Sequence, residues 1–232
     1  MALTKVIGSG VQGISNSSDA TAMTIGSDEV VDFASNADFI DGRGIRLGAG
    51  NDFQLYHDGT DNHINVTGAQ TLNIQTSGNN AIVVDANGII TKPLQPAFLA
   101  RGTTQNNMAV GSDVTIVLST EVFDQNADYN NGTYTFTAPI TGRYQLNMNL
   151  YLTNLDTAAN FYYGAIKTSN QFYYNLFDPG PLASDPVYWS LTMSVLADMD
   201  ANDTASVVFN QANGGQQTDS TTHSHFSGYL VA

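Results

Sequence analysis

Cysteine does not occur in this sequence of 232 residues. Its absence excludes disulfide bonds, catalysis by a thiolate and zinc sites built from cysteine ligands. Small secreted domains usually need disulfides for stability, so a protein of this composition in an extracellular setting would depend on its size or on oligomerisation.

Basic residues are also scarce, because seven Lys and Arg stand against 21 Asp and Glu and give a formal net charge of −14. Nucleic-acid binding requires a basic patch that neutralises phosphates, and this chain cannot supply one. The same shortage disfavours an anionic membrane surface. We therefore expect neither nucleic acid nor a membrane as a partner.

Long apolar runs are missing, so no insertion into a membrane is expected. Residues 1–5 also lack the apolar core of a signal peptide. We expect synthesis in a cytoplasm and exposure outside the cell by another route, such as assembly into a virion followed by lysis.

Proline is missing from residues 1–92, which also contain only four aromatic residues. The rest of the chain contains all six prolines. We expect so apolar-poor a first part to bury little surface as a monomer. These shifts divide the chain into an N-terminal attachment region (1–43), a repetitive β-shaft (44–92), a proline linker (93–96) and a head domain (97–232).

The shaft contains short β-prone runs separated by turns rich in glycine, asparagine and aspartate. Residues 54–57 and 72–75 alternate in polarity and leave one narrow apolar face per strand. Copies of the same chain would cover such a face best, so we predict a thin intertwined trimeric β-shaft, either a β-prism or a β-helix. The predicted strands are 45–47, 53–57, 63–66, 72–75, 81–84 and 89–91.

The head contains β-rich segments at the spacing of a β-sandwich and no long stretch with the period of a helix. An all-β, antiparallel sandwich or jelly roll is the predicted fold class. The predicted strands are 113–118, 133–138, 142–152, 161–167, 172–176, 188–196, 205–210 and 225–231.

Seven residues of the head follow one another at a characteristic spacing: Asp124, Tyr129, Phe136, Gly142, Tyr144, Phe226 and Gly228. They resemble the signature of the C1q family, in which segments 134–144 and 226–230 match a strand-turn-strand and a closing strand. The resemblance implies a ten-strand jelly roll of the C1q/tumour-necrosis-factor type, assembled as a homotrimer and built to bind. Leu118, Leu146 and Met148 stand where the signature has aromatic residues, and these changes keep the positions apolar.

Residues 44–64 resemble a repeat of fibre and virion proteins of marine bacteriophages, and residues 7–14 resemble the start of such proteins. The resemblance implies a location on the virion and contacts with other virion proteins through the N-terminus. It favours a phage fibre over a secreted animal protein of the C1q family.

Five residues near the C-terminus combine hydroxyl, imidazole and carboxylate groups: Asp219, Ser220, His223, Ser224 and His225. No nucleophile elbow surrounds them, and groups this close along an extended strand cannot all converge, so a turn before the last strand is favoured. His223 and His225 on one strand face would gather six imidazoles at a threefold axis, enough for an octahedral metal. The alternative is an exposed polar strand end.

Two more sets contain residue types that ligate metals: His57, Asp58, Asp61 and His63, and Asp198, Asp200 and Asp203. The first set favours a tight hairpin turn. The second lacks the glycine and the distal glutamate of an EF-hand loop. We predict that no cofactor is required, with calcium or another divalent metal at the trimer axis as the alternative.

Nine aromatic residues crowd the middle of the head: Phe161, Tyr162, Tyr163, Phe172, Tyr173, Tyr174, Phe177, Tyr188 and Trp189. Aromatic rings beside Asn and Asp suit stacking on sugars and also protein interfaces, although alternation sends half of each run inward. The loop 178–186 is the best candidate for an exposed contact surface. The candidate binding residues are Tyr173, Tyr174, Asp178, Asp185, Tyr188 and Trp189.

These features predict a trimeric phage tail-fibre or virion appendage protein whose head binds a glycan or protein of the host surface. Three weak sites on one head would give avidity. One alternative is a purely structural module that holds or decorates the virion without binding a receptor. A bacterial surface adhesin is another, although no export signal or anchor is visible. An enzyme is disfavoured, because no carboxylate pair or triad stands out.

Overall fold

The computed structural model describes residues 36–232 and, without their side chains, the strands β1 (Met23–Ile25) and β2 (Val31–Phe33). These two strands pair in antiparallel orientation. Most of the predicted attachment region, residues 1–43, lies outside the described residues.

The regular elements of the described residues are all β-strands, which confirms the predicted all-β class. In this part of the chain, no helix is long and apolar enough to cross a membrane. The chain divides into two compact units, residues 1–70 and residues 71–232.

Two three-stranded antiparallel sheets follow β2 in the chain. The first contains β3 (Gly44–Leu47), β4 (Phe53–His57) and β5 (Asn62–Val66). The second contains β6 (Leu72–Thr76), β7 (Asn79–Val84) and β8 (Ile90–Thr91). Strand positions agree with the predicted runs within two residues, because the alternation and the turn residues that define them are local signals.

The turn between β4 and β5 has the chemistry that its sequence predicts. Gly59 adopts a φ of 104°, which costs glycine little because it has no Cβ. The Asp58 carboxylate accepts hydrogen bonds from the backbone N–H groups of Thr60 and Asp61, both at 2.8 Å. The turn therefore needs no metal to hold its shape.

The C-terminal strands form two six-stranded sheets that pack as a sandwich. Their bounds are β9 Ala97–Arg101, β10 Val114–Thr115, β11 Thr120–Asp124, β12 Tyr129–Asn130, β13 Thr135–Thr137, β14 Gly142–Thr153, β15 Phe161–Thr168, β16 Phe172–Phe177, β17 Tyr188–Met199, β18 Thr204–Ala212, β19 Asp219–Ser220 and β20 His225–Leu230. The first head sheet has the order β12-β13-β18-β15-β16, with β10 beside β18. The second has the order β11-β9-β20-β14-β17, with β19 beside β14. The two main paths together contain ten strands, the number implied by the C1q resemblance.

Strict alternation along the long strands builds the core between the two sheets. On β14 the even-numbered residues from Tyr144 to Leu152 are buried, and the odd-numbered residues point outward. Each fully buried aliphatic or aromatic side chain stabilises the fold by about 1.5–3 kcal/mol relative to leaving it exposed. Leu118, Leu146 and Met148, which depart from the family signature, are all buried in this core.

The signature residues are structural. Tyr129 stacks on Phe98 with ring centroids 5.1 Å apart, and Phe98 also contacts Phe136 at 4.8 Å and Phe226 at 5.0 Å. The Tyr144 hydroxyl donates to the Ile140 carbonyl oxygen at 2.7 Å. These rings fill the end of the sandwich and satisfy their hydroxyl groups internally, as buried tyrosines require.

Asp124 and Gly228, two further signature residues, lie where the backbone is tightly packed or hydrogen-bonded to a side chain. Asp124 accepts hydrogen bonds from the N–H groups of Tyr129 at 2.8 Å and Asp128 at 3.1 Å. A Cβ on Gly228 would lie 2.6 Å from Leu146 Cδ2 and 2.8 Å from Phe98 Cε1. Overpacking of that kind is destabilising, so only glycine fits at this point of β20.

Candidate functional site

Four aromatic rings lie together on the outward face of the first head sheet. They are Phe161 and Tyr163 of β15 and Phe172 and Tyr174 of the edge strand β16. We call these four residues the aromatic cluster. Residues two apart on a strand point to the same face, which is why each strand contributes a pair.

Each ring of the aromatic cluster contacts at least one other ring of the cluster. Phe161 and Tyr163 are nearly parallel with centroids 6.1 Å apart, and Tyr163 meets Phe172 edge-on at 5.7 Å. Tyr174 lies 6.0 Å from both Tyr163 and Phe172. The Tyr174 side chain is 58% exposed and that of Phe172 is 40% exposed, so the cluster presents aromatic surface to a ligand.

Polar groups border the aromatic cluster on one side. The hydroxyl of Tyr163 donates to Asp113 Oδ1, and the side-chain amide of Asn210 donates to the same oxygen at 3.1 Å. In the part of the chain that the structure describes, no hydrogen bond occupies Asp113 Oδ2. This oxygen can accept a hydrogen bond from a ligand hydroxyl lying beside the rings.

Two effects raise the pKa of Tyr163 to about 12: first its burial, and then the hydrogen bond and negative charge of Asp113. Burial disfavours the phenolate, and a neighbouring carboxylate disfavours a second negative charge. Tyr163 therefore keeps its proton at neutral pH. Its hydroxyl donates the hydrogen bond that orients the Asp113 carboxylate.

The six predicted binding residues do not form one site. Tyr173 and Trp189 pack against the core, and Trp189 stacks on Phe177 with centroids 4.0 Å apart. Tyr174 belongs to the aromatic cluster. Tyr188 is exposed at the start of β17, in the other sheet, where its ring lies 5.9 Å from that of Tyr151. Successive residues of a strand point to opposite faces, so Tyr173 points to the core and Tyr174 points outward.

The two carboxylates of the loop 178–186 are exposed and hold backbone turns. Asp178 accepts a hydrogen bond from the N–H of Gly180 at 2.9 Å. Asp185 accepts from the hydroxyl of Thr157 at 2.6 Å and from its N–H at 2.8 Å. Both hydrogen bonds lower the pKa of Asp185, and the one from the Thr157 hydroxyl has the larger effect.

The predicted metal pair is divided between a turn and a strand. His225 begins β20, whereas His223 lies in the preceding turn, so the premise that both imidazoles stand on one strand is wrong. His225 Nδ1 lies 3.3 Å from the His223 carbonyl oxygen. Within residues 36–232, no three His, Cys, Asp or Glu of one chain gather as metal ligands. A metal held by His223 and His225 from three copies stays a prediction.

The serines near this turn are not placed for nucleophilic chemistry. Ser220 and Ser224 are fully buried, and their hydroxyl groups lie 3.0 Å apart. Ser224 Oγ also accepts a hydrogen bond from the Tyr151 N–H at 2.9 Å. Asp219 accepts from Asn107 N–H and from the Asn154 amide. These contacts join the turn to β14.

The two acidic sets act within turns. Asp203 Oδ2 accepts hydrogen bonds from the Asp200 N–H at 2.8 Å and from the Asn170 side-chain amide at 2.5 Å. In the other set, His63 Nε2 lies 2.8 Å from Asp58 Oδ2. The hydrogen bond from the Asp61 N–H lowers the pKa of Asp58 most, and the hydrogen bond with His63 lowers it next. The side chains of His57, Asp58 and His63 in one set and of Asp203 in the other are thus engaged by their own chain.

Sequence reasoning missed the polar side of the aromatic cluster. Asp113 precedes Tyr163 by 50 residues and Asn210 follows it by 47. They meet because β18 pairs with β15 in the register that places Asn210 opposite Tyr163. The spacing of two between residues 161 and 163 and between residues 172 and 174 is the local signal that predicts the shared face of these rings. No local signal identifies Asp113 or Asn210.

A family model described as the C1q domain matches residues 97–231 of the chain. A search of curated proteins returns no match.

Solved structures of similar fold include the globular domain of the zebrafish complement 1qA protein, at 17% identity and a TM-score of 0.44, covering 59% of this chain and 98% of that one. Crystal structures of murine APRIL are also similar. The one at pH 8.0 has 11% identity and a TM-score of 0.42, covering 60% and 99% of the two chains. The one at pH 8.5 has 8% identity and a TM-score of 0.43, covering 59% and 99%.

Proposed function

Since the chain belongs to the C1q domain family over residues 97–231, we propose that it is a homotrimeric phage tail-fibre or virion appendage protein whose head attaches to the host surface. Residues 1–43 join other virion proteins, residues 44–92 form the shaft and the head carries the binding sites. The protein is then located on the virion. The phage assignment rests on the resemblance of residues 44–64 to phage fibre repeats.

The exposed aromatic cluster is the observation that supports a binding role for the head. The apolar C–H faces of a sugar ring stack on aromatic side chains, and the ring hydroxyls need acceptors and donors nearby. Phe172 and Tyr174 offer the faces, and Asp113 with Asn210 offers the polar groups. We therefore name a host-surface glycan as the ligand, with a host protein as the second choice.

The acidic chain restricts which glycan fits. With a net charge of −14 and Asp113 beside the rings, a neutral or amino-substituted sugar meets less repulsion than an anionic one. A homotrimer presents three such sites, and several sites that engage one surface raise the overall affinity without new contacts.

The proposal predicts that truncating one exposed ring weakens glycan binding. On an array of bacterial-surface oligosaccharides, we expect the full chain to bind a neutral or amino sugar and Tyr174→Ala to bind it about tenfold or more weakly, the usual effect of removing a stacked ring. Tyr188→Ala is the matched control, because it removes an exposed tyrosine from the other sheet.

The two variants also separate the alternatives. Loss of binding in Tyr188→Ala alone would move the site to the loop 178–186 and away from the aromatic cluster. A trimer that binds no glycan and no host cell would favour the purely structural module.

A further inference from the structure

The sheet β3-β4-β5 has one apolar face and one polar face. In the cross-strand register, Ile45, Leu55 and Ile64 stand in one row, and Leu47, Phe53 and Val66 stand in the next. We call these six residues apolar face 1. Only His57 and Asn62, paired at the turn end of the sheet, interrupt this side with polar groups. The rows of the opposite face contain Arg46, Gln54 and Asn65, and Gly44, Tyr56 and His63.

The sheet β6-β7-β8 repeats this arrangement. Leu72, Val84 and Ile90 stand in one row, and Ile74 and Ile82 are paired beside them. We call these five residues apolar face 2. The adjoining row of the opposite face contains Asn73, Val83 and Thr91. Two consecutive sheets of the chain therefore place most of their apolar side chains on one face, with Val83 the exception on the opposite face of the second sheet.

Both apolar faces are partly exposed in the described residues of one chain, although Leu72, Ile82 and Val84 of apolar face 2 are half-buried. Ile64 is 62% exposed and Ile90 is 63% exposed. A sheet of three short strands becomes stable only when an apolar face packs against another element. Contiguous apolar surface on a folded chain also marks an interaction site. Each face therefore requires an apolar partner.

We propose that apolar face 1 and apolar face 2 each pack against the same face of two other copies of this chain. The two faces offer neither charge nor hydrogen-bonding side chains, so the fitting partner is another apolar face of similar size. Every copy supplies an identical one. This inference rests on the proposed homotrimer, which keeps three copies at a high effective concentration.

The strand pairing defines how the copies meet. Every strand of β3-β4-β5 and of β6-β7-β8 pairs with a strand of the same chain, so the side chains of the two apolar faces are what each sheet offers to another copy. Three sheets related by a threefold axis turn their apolar faces inward and their polar faces to water. The shaft is then a three-sided prism at each sheet.

The absence of cysteine makes this geometry testable with single-cysteine variants of the full chain. Leu55→Cys places a thiol at the centre of apolar face 1, and Gln54→Cys places one on the opposite face of the same strand. Ile74→Cys and Asn73→Cys form the matching pair for the second sheet, and both of these positions are exposed. Mild oxidation joins two thiols only when their Cβ atoms approach closely.

We expect Leu55→Cys and Ile74→Cys to form covalent dimers about tenfold or more efficiently than Gln54→Cys and Asn73→Cys. Three thiols at one axis allow a single disulfide, so one chain of every three stays uncoupled on a denaturing gel. Light scattering on the unmodified chain gives the mass of the assembly, which for a trimer is three times the 24.8 kDa of one chain.

The outcomes distinguish the two proposals. A trimer in which the apolar-face thiols couple no better than the opposite-face thiols overturns the packing of the faces and leaves the homotrimer standing. A monomeric mass at the same concentration overturns the homotrimer itself.

Discussion

Asp156 shows how a single buried carboxylate can hold a long loop in the head. It is 8% exposed, and its Oδ2 accepts hydrogen bonds from the N–H groups of Gly215 at 2.6 Å and Gln216 at 2.9 Å. Its Oδ1 accepts from the Ala158 N–H at 2.8 Å. Gly214, with a φ of 93°, lets the loop pass so close that a Cβ there would lie 2.8 Å from the carboxylate. These hydrogen bonds, that of Gln216 first, lower the pKa of Asp156.

We expect Asp156→Ala to lower the free energy of unfolding at neutral pH by about 1–3 kcal/mol, because it leaves three backbone donors without their acceptor. Since the folded pKa lies below the unfolded value, the contribution is complete above the unfolded pKa and is lost as pH falls through the folded pKa. Denaturant unfolding of both proteins over an acidic pH series measures this difference. Asp178→Ala, which removes an exposed carboxylate, is the control. Parallel pH profiles for wild type and Asp156→Ala would contradict the assignment.

The segment between β8 and β9 is held by side-chain amides of the head. Gln125 Nε2 donates to the carbonyl oxygens of Lys92 at 2.8 Å and Gln95 at 2.7 Å. Asn126 Nδ2 donates to the Leu94 carbonyl oxygen at 2.7 Å, and Gln95 Nε2 donates to that of Leu230 at 2.7 Å. The prolines identify the linker in the sequence, and the contacts attach it to the residues that follow β11 and to β20.

Replacing Gln125 and Asn126 together by alanine should release this segment. We expect hydrogen exchange of residues 92–96 to accelerate severalfold or more, because local opening no longer breaks three hydrogen bonds of about 1 kcal/mol each. Mass spectrometry of peptides from the full chain provides the measurement. Gln216→Ala, which removes an exposed glutamine elsewhere in the head, should leave this exchange unchanged. Equal exchange in all three proteins would show that the amides do not hold the linker.

At the scale of the whole molecule, the net charge of −14 is accompanied by few contacts between oppositely charged side chains in the described residues. Among residues 36–232 the only contacts between basic and acidic side chains are His57 with Asp41 and His63 with Asp58, and each is an ion pair only when its histidine is protonated. Both lie on the surface, where such pairs contribute little. Added salt therefore weakens mainly the repulsion between carboxylates, which extends over roughly 10 Å at moderate ionic strength.

We expect the melting temperature of the full chain to rise with sodium chloride, by about 2–4 °C for each kcal/mol of repulsion that is screened. Differential scanning calorimetry at low and high ionic strength tests this. A variant with Asp38→Asn and Asp61→Asn, which lowers the net negative charge by two, should respond less. A melting temperature that falls with salt would mean that attractive pairs dominate.

Strand positions and fold class could be predicted because their signals are local. The run from Tyr144 to Leu152 alternates buried and exposed residues as its sequence pattern indicates. Shorter strands such as β9 (Ala97–Arg101) and β11 (Thr120–Asp124) were missed. Neither stretch alternates apolar and polar residues in the sequence, and both strands depend on pairing with distant segments for their identity.

The sequence by itself determined an all-β chain and strands before residue 92 with one apolar side, since periodicity and turn residues act between near neighbours. The resemblance of the signature residues added a head of the C1q family. Only the tertiary structure decided which aromatic residues are available to a ligand. It packed the partly buried Tyr173 and Trp189 against the core, left Tyr174 exposed and brought Asp113 and Asn210 to Tyr163. Those contacts join residues far apart in the chain, and the pairing of β18 with β15 sets them.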